Sequence, residues 1–157
     1  MFNLFEWLQY SSLLSAMRGS PWLFPLIAGI HLMGLALIGG SVLLVDLRLL
    51  GLGMRQQPLA QMARDAERWL VISLLILLPT GAFQFMCFAA TKYYYMKSFW
   101  IKMAALFLAL VFTFVVRRKV VMADETRISP LSRKLVATVS LALWSSVAIS
   151  GRVIGLP

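Results

Sequence analysis

Four stretches of the 157-residue chain are each long and apolar enough to cross a membrane, and this feature limits the fold more than any other. They run from about 22 to 44, 69 to 90, 99 to 116 and 135 to 154. A helix needs about 20 apolar residues to span the hydrocarbon core, and a helix satisfies its own backbone hydrogen bonds there. The sequence therefore predicts an all-α integral membrane protein, with four transmembrane helices in one bundle and a single domain over residues 1–157.

The composition excludes the other broad classes of protein. Hydrophobic residues make up 61% of the chain and charged residues 13%, whereas a soluble domain has about 45–50% and about 25%. Cys87 is the single cysteine, which excludes a disulfide scaffold. The net charge of +9 comes mostly from basic residues in the gaps between apolar stretches. This charge is therefore interpreted as topology information, and no nucleic-acid partner is expected.

Residues 3–17 form a separate segment that mixes apolar side chains with polar ones. The segment is too short and too polar to span, so it is predicted to be an amphipathic helix lying in the membrane interface. A cleaved signal peptide is the competing interpretation. Glu6 stands where such a peptide carries positive charge, which argues against it.

The basic residues predict an orientation. Ten of them fall in the two loops that follow the first and third stretches: Arg48, Arg55, Arg64, Arg68, Arg117, Arg118, Lys119, Arg127, Arg133 and Lys134. Five fall on the other side: Arg18, Lys92, Lys97, Lys102 and Arg152. The positive-inside rule places the ten in the cytoplasm, so both termini are predicted to be outside, in the periplasm of a Gram-negative cell.

His31 is the sharpest candidate for function, because it is the only histidine and lies nine residues after Trp22. At about 1.5 Å per residue it is about 13–14 Å deep, near the middle of a membrane. Three interpretations remain open. The ring packs the bundle through a hydrogen bond, with Thr80, Gln84 or Ser145 as partners. It is an axial ligand of a b-type haem. Or it serves a proton relay or a copper site, although no tight cysteine and methionine spacing supports copper.

A haem held by two histidines would need one more than this chain has. The alternatives are a methionine partner, an open sixth position, or a histidine from another subunit. Met33, Met86 and Met103 are candidates by depth alone. Small residues around His31, such as Gly34 and Ala36, would suit either close helix packing or a flat cofactor.

Charged residues mark both edges of the membrane. Lys102 and Arg152 lie at the outer edge, where they either extend to the headgroups or hold an anion such as haem propionates, a quinone head or a lipid phosphate. At the inner edge Asp46 and Arg48 are expected to form an anchoring pair, together with Arg68.

Several short motifs resemble a family of small bacterial inner-membrane proteins. They are His31-Leu32-Met33-Gly34-Leu35-Ala36, Gly40, Val45-Asp46-Leu47-Arg48-Leu49-Leu50-Gly51, the block from Lys92 through Tyr94 to Phe99, Ile101 and Lys102, Leu143-Trp144, and Ser150-Gly151-Arg152-Val153-Ile154. The resemblance covers nearly the whole chain. The family is distantly similar to copper-resistance D proteins and small membrane cytochromes b.

The resemblance implies a four-helix bundle in the bacterial inner membrane and singles out four residues: His31, Asp46, Lys102 and Arg152. It implies no reaction. Members of the family often carry a second histidine near the inner end of the third span. Here that region is Phe112-Thr113-Phe114-Val115-Val116.

These observations predict a cytochrome-like membrane subunit for electron transfer or quinone-linked redox chemistry. It would bind haem b through His31, with Lys102 and Arg152 on the propionates, as a homo-oligomer or with a partner membrane subunit. One alternative is a non-catalytic subunit or assembly factor in which His31 only packs helices. The other is a permease for small solutes or metal ions.

Overall fold

The fold was obtained as a computed structural model, which describes residues 14–15, 19–53, 57–88, 95–123 and 128–154. Four long helices make up most of this part of the chain: α1, Leu23–Leu50; α2, Leu59–Phe88; α3, Lys97–Met122; and α4, Pro130–Ile154. Each is long and apolar enough to span a membrane, and the described residues contain no strand. The predicted all-α fold is confirmed, and it has the four expected helices of membrane-spanning length and composition. The predicted N-terminal helix, 3–17, lies outside the described residues apart from Leu14 and Ser15.

The helices extend beyond the apolar stretches at one end of the bundle. α1 continues to Leu50 and stops at Gly51, whose φ of 84° lies in the left-handed region. α2 begins at Leu59 and α3 continues to Met122, so basic side chains assigned to loops, such as Arg64 and Arg117, lie on helices. Hydropathy detects only the apolar part of a helix, so polar turns that continue the same helix are missed. We call this end, which holds both connections, the basic end.

The bundle is packed most tightly in its basic half. α1 packs against α2 and α4, α3 packs against α4, and α2 meets α3 closely only where α3 ends. The two clusters of buried apolar residues lie in this half: Val45, Leu49, Leu59, Ala63, Val121 and Ala137, and next to them Ile38, Val42 and Leu70. The half nearer the termini lacks such a cluster among the described residues. His31 is in this second half.

One turn of α3 departs from regular α geometry. Residues Phe112–Arg117 are π-helical, and regular α-helix continues from Arg118 to Met122. A π turn contains one residue more than the α turn it replaces, and it rotates everything beyond it about the helix axis. The turn therefore determines the direction in which Arg117 leaves the helix.

Candidate functional site

His31 is partly buried and forms a hydrogen bond across the α1–α2 interface. Its Nδ1 lies 2.8 Å from the Thr80 hydroxyl oxygen. Thr80 was one of the three partners expected from the sequence, so the predicted interhelical bond is confirmed. Of the other two, Ser145 is exposed, and Gln84 lies one turn beyond Thr80.

The hydroxyl of Thr80 determines which nitrogen of His31 carries hydrogen. That hydroxyl has one hydrogen, and it donates it to the carbonyl oxygen of Ile76 at 2.6 Å. With that hydrogen on the Ile76 carbonyl, the Thr80 oxygen acts as the acceptor toward His31. Nδ1 of His31 is therefore the donor. In the neutral ring Nε2 then keeps its lone pair, and Nε2 has no hydrogen-bond partner among the described residues.

Gly81 lies directly against the His31 ring. A Cβ at this position would be 3.3 Å from His31 Cε1 and 3.8 Å from Nδ1. A side chain there would push the ring from its position, because 3.3 Å is tighter than ordinary van der Waals contact. The lack of a Cβ at Gly81 thus leaves room for the Cε1–Nδ1 edge of the ring against α2 while Nδ1 bonds to Thr80.

Lys102 brings positive charge to the same half of the bundle. Lys102 and the His31 ring lie within electrostatic range of each other. The stem of Lys102 lies along α4, with Cε and Nζ both 3.7 Å from the position a Cβ would take on Gly151. Arg152, the next residue, is exposed. The structure therefore places His31 and Lys102 in the same half of the bundle, whereas Arg152 is exposed on α4, the helix that Lys102 contacts. We call His31, Thr80, Gly81 and Lys102 the His31 cluster.

Two of the three methionines considered as second axial ligands face away from the bundle interior. Met33 is 71% exposed and Met103 is 45% exposed, so both face the outside of the bundle. Met86 is partly buried on α2. Among the described residues there is also no group of three or more His, Cys, Asp or Glu that could hold a metal ion. His31 is therefore the one strong metal-ligating side chain that the cluster offers.

Asp46 is fully buried and pairs with Arg117, which corrects its predicted role in an anchoring pair with Arg48. The Nε of Arg117 lies 2.8 Å from Oδ1 of Asp46, although the pair lacks the alignment of a good hydrogen bond. The Ser140 hydroxyl donates to Oδ2 at 2.6 Å, and Nη2 of Arg117 donates to the Val42 carbonyl at 3.1 Å. We call Asp46, Arg117 and Ser140 the Asp46 cluster, which joins α1, α3 and α4.

The residues expected to anchor Asp46 lie elsewhere. Arg48 donates to the Gln57 carbonyl at 3.4 Å, and Arg68 is exposed. The sequence analysis assigned Arg117 to a loop because it follows the apolar part of the third stretch. One signal was available: Asp46 and Arg117 have opposite charges and end apolar stretches on the same side of the membrane, so their side chains are at similar depth.

A small cavity adjoins the Asp46 cluster between α2 and α3. Its volume is about 30 Å³, which is enough for a water molecule. Arg117, Thr113 and Glu67 are among its lining residues. Thr113 also accepts a hydrogen bond from the indole of Trp144 at 3.1 Å, which ties the π turn to α4.

Four helices of this length and composition, with polar clusters held between them, are those expected of a multi-pass helical membrane protein. The chain belongs to DUF6644, a family of unknown function, which matches residues 4–157. No curated protein and no solved structure matches the chain. The family match carries no link to copper-resistance D proteins or membrane cytochromes b, so that part of the resemblance stays a prediction.

Proposed function

We propose that this protein is an electron-transfer subunit of the membrane that ligates a b-type haem through Nε2 of His31. The observation that carries the proposal is the hydrogen-bond chain from His31 Nδ1 through the Thr80 hydroxyl to the Ile76 carbonyl. Histidines that ligate metals almost always donate their other ring N–H to a fixed acceptor, which sets the tautomer and the ring orientation. In this protein the Nδ1 side of His31 is bonded in the same way to the Thr80 hydroxyl, which leaves Nε2 for a ligand.

The rest of the cluster fits this role. Gly81 leaves one edge of the ring free of side chains, and Lys102 supplies a cation that suits a carboxylate such as a haem propionate. Arg152 is the next residue after Gly151, which contacts the Lys102 stem, so it is a second cation at this end of the bundle. Met33 and Met103 are exposed, so neither would hold the same group as His31 from inside the bundle. A haem held in this way would supply one-electron chemistry.

The test is the absorption spectrum of protein purified in nanodiscs after expression with a haem precursor. We expect a Soret band in the wild type and its loss in His31→Ala. Thr80→Val should weaken haem retention by about ten- to a hundredfold, the usual effect of losing a ligand's hydrogen-bond partner. Ser145→Ala changes an exposed hydroxyl and is the matched control. A folded wild-type protein without a Soret band would overturn the proposal.

A second candidate is a non-catalytic membrane subunit in which His31 only joins α1 to α2. The His31–Thr80 bond supports this role too. Gly29, Gly39 and Gly40 on α1 each face open space, so close approach of another helix is sterically open there. Co-purification of a stable membrane partner, with no chromophore, would favour this candidate. The oligomeric state of the same sample tests the proposed homo-oligomer.

A further inference from the structure

The amide of Gln84 has a hydrogen-bond donor that is buried and unpaired. Its Nε2 is completely covered and has no hydrogen-bond partner in the part of the chain that the structure describes. Leaving such a donor unpaired costs about 1–3 kcal/mol, so each instance in a folded protein requires an explanation. Gln84 lies four residues after Thr80, on the same face of α2 that holds the partner of His31. An oxygen acceptor at this position would satisfy the amide.

Aromatic rings surround this part of α2. Phe85, the next residue, stacks on Phe99 of α3 with ring centroids 5.0 Å apart and an angle of 16° between the planes. Phe88 meets Phe24 of α1 edge to face at 5.4 Å. Lys102 follows Phe99 by three residues on α3, and its Nζ lies 3.7 Å from the position a Cβ would take on Gly151 of α4. Flat apolar rings thus lie beside one neutral donor on α2, and α3 carries a cation one turn from the stacked Phe99.

This part of the bundle is also open from the side. α2 and α3 pack closely only at the basic end, so in the half that holds Gln84 they meet mainly through the Phe85–Phe99 stack. Gln84 lies four residues from the end of α2, and Lys102 lies five residues from the start of α3. These distances correspond to about 6–8 Å along the helices, inside a hydrocarbon region. A ligand that is dissolved in the membrane could enter between α2 and α3.

We propose that Gln84 and Lys102 bind the carbonyl oxygens of a membrane quinone, whose ring packs against the phenylalanines. A quinone combines a flat apolar ring with two acceptor oxygens, which is the complement of a buried amide donor, an ammonium and aromatic faces. The proposal deepens the electron-transfer function above by naming its redox partner, and its physiological meaning rests on that function. Binding itself needs no haem.

The test is a titration of haem-free protein, in nanodiscs of neutral phosphatidylcholine, with a short-chain ubiquinone or menaquinone analogue. Quenching of tryptophan fluorescence reports binding. We expect saturable quenching in the wild type and a Kd raised about five- to tenfold in Gln84→Leu, as expected for the loss of one hydrogen bond. Lys102→Met should raise the Kd as well. Gln61→Leu, on the exposed surface of the same helix, is the matched control and should bind like the wild type.

A second measurement separates a ligand-binding role from a packing role. Without quinone, Gln84→Leu removes an orphan donor, so its unfolding temperature should equal or exceed that of the wild type. A lower unfolding temperature would mean that the amide supports the fold, and it would overturn the proposal. Equal quinone affinity in Gln84→Leu and the wild type would overturn it too.

Two further titrations test whether the acceptor oxygen for Gln84 comes from a group other than a quinone. Discs with an anionic phospholipid test a lipid phosphate, and the haem-loaded protein tests a propionate. A Gln84-dependent response to either, without one to quinone, would overturn the assignment of the quinone. The Soret band is measured on separate haem-supplied samples, so failure of quinone binding and failure of haem binding remain distinguishable.

Discussion

His31 offers a direct experiment at the scale of one residue, because it is the only histidine in the chain. Protein labelled with nitrogen-15 histidine therefore gives imidazole signals that need no assignment. The Thr80 hydroxyl accepts from Nδ1, so we expect a neutral ring with hydrogen on Nδ1 and a bare Nε2 in the haem-free protein. Nuclear magnetic resonance of the labelled protein in nanodiscs distinguishes the protonated from the unprotonated ring nitrogen.

The matched variants separate the hydroxyl from the shape of the side chain. Thr80→Ser keeps the acceptor oxygen and should keep the tautomer of His31. Thr80→Val removes that oxygen, so the hydrogen of the His31 ring should no longer favour Nδ1. A spectrum dominated by hydrogen on Nε2 in the wild type would show that Thr80 donates to His31 instead. That result would remove the observation on which the haem proposal rests.

The sequence predicted much of this residue's environment. A partner set that included Thr80 followed from the position of His31 within an apolar helix. The direction of the hydrogen bond could not be predicted, because it depends on a second bond from Thr80 to Ile76 within α2. The close approach of Gly81 to the His31 ring could not be predicted either, because the sequence around a helical glycine does not indicate which residue packs against it.

The π turn of α3 is the element whose geometry matters most, because it directs Arg117 toward α1. Deleting Val115, a half-exposed residue within the turn, should convert it to regular α-helix. Every residue beyond the deletion then rotates by about 100° relative to the rest of α3. Arg117 would leave Asp46, and we expect a loss of about 3–5 kcal/mol in the free energy of unfolding, as for a buried charge without its partner.

Denaturation of the detergent-solubilised protein measures this loss. Val115→Ala keeps the length of the turn and should cost much less, since the side chain is 49% exposed. A deletion variant as stable as Val115→Ala would show that the π turn does not hold the ion pair. The turn itself was outside the reach of sequence analysis, because the six residues Phe112–Arg117 fit an α turn equally well.

At the scale of the whole molecule, the Asp46 cluster is the polar contact that joins three of the four helices. Replacing only Asp46 with Leu should cost about 3–5 kcal/mol, because it leaves the Arg117 guanidinium buried without a counter-charge. Replacing both, as Asp46→Leu with Arg117→Met, should restore stability to about the wild-type value or raise it, since apolar side chains of similar volume avoid the cost of burying charge.

Glu67 and Arg118 provide the control for this comparison of single and double variants. They form an ion pair at 3.4 Å, with exposed fractions of 27% and 56% for the two side chains, so the same pair of substitutions there should change stability by less than about 1 kcal/mol. Additive losses at Asp46 and Arg117, with no recovery in the double variant, would mean that the charges act through separate contacts. Recovery of stability with loss of the proposed haem or quinone binding would instead show that the pair is kept for function, because the bundle folds without it.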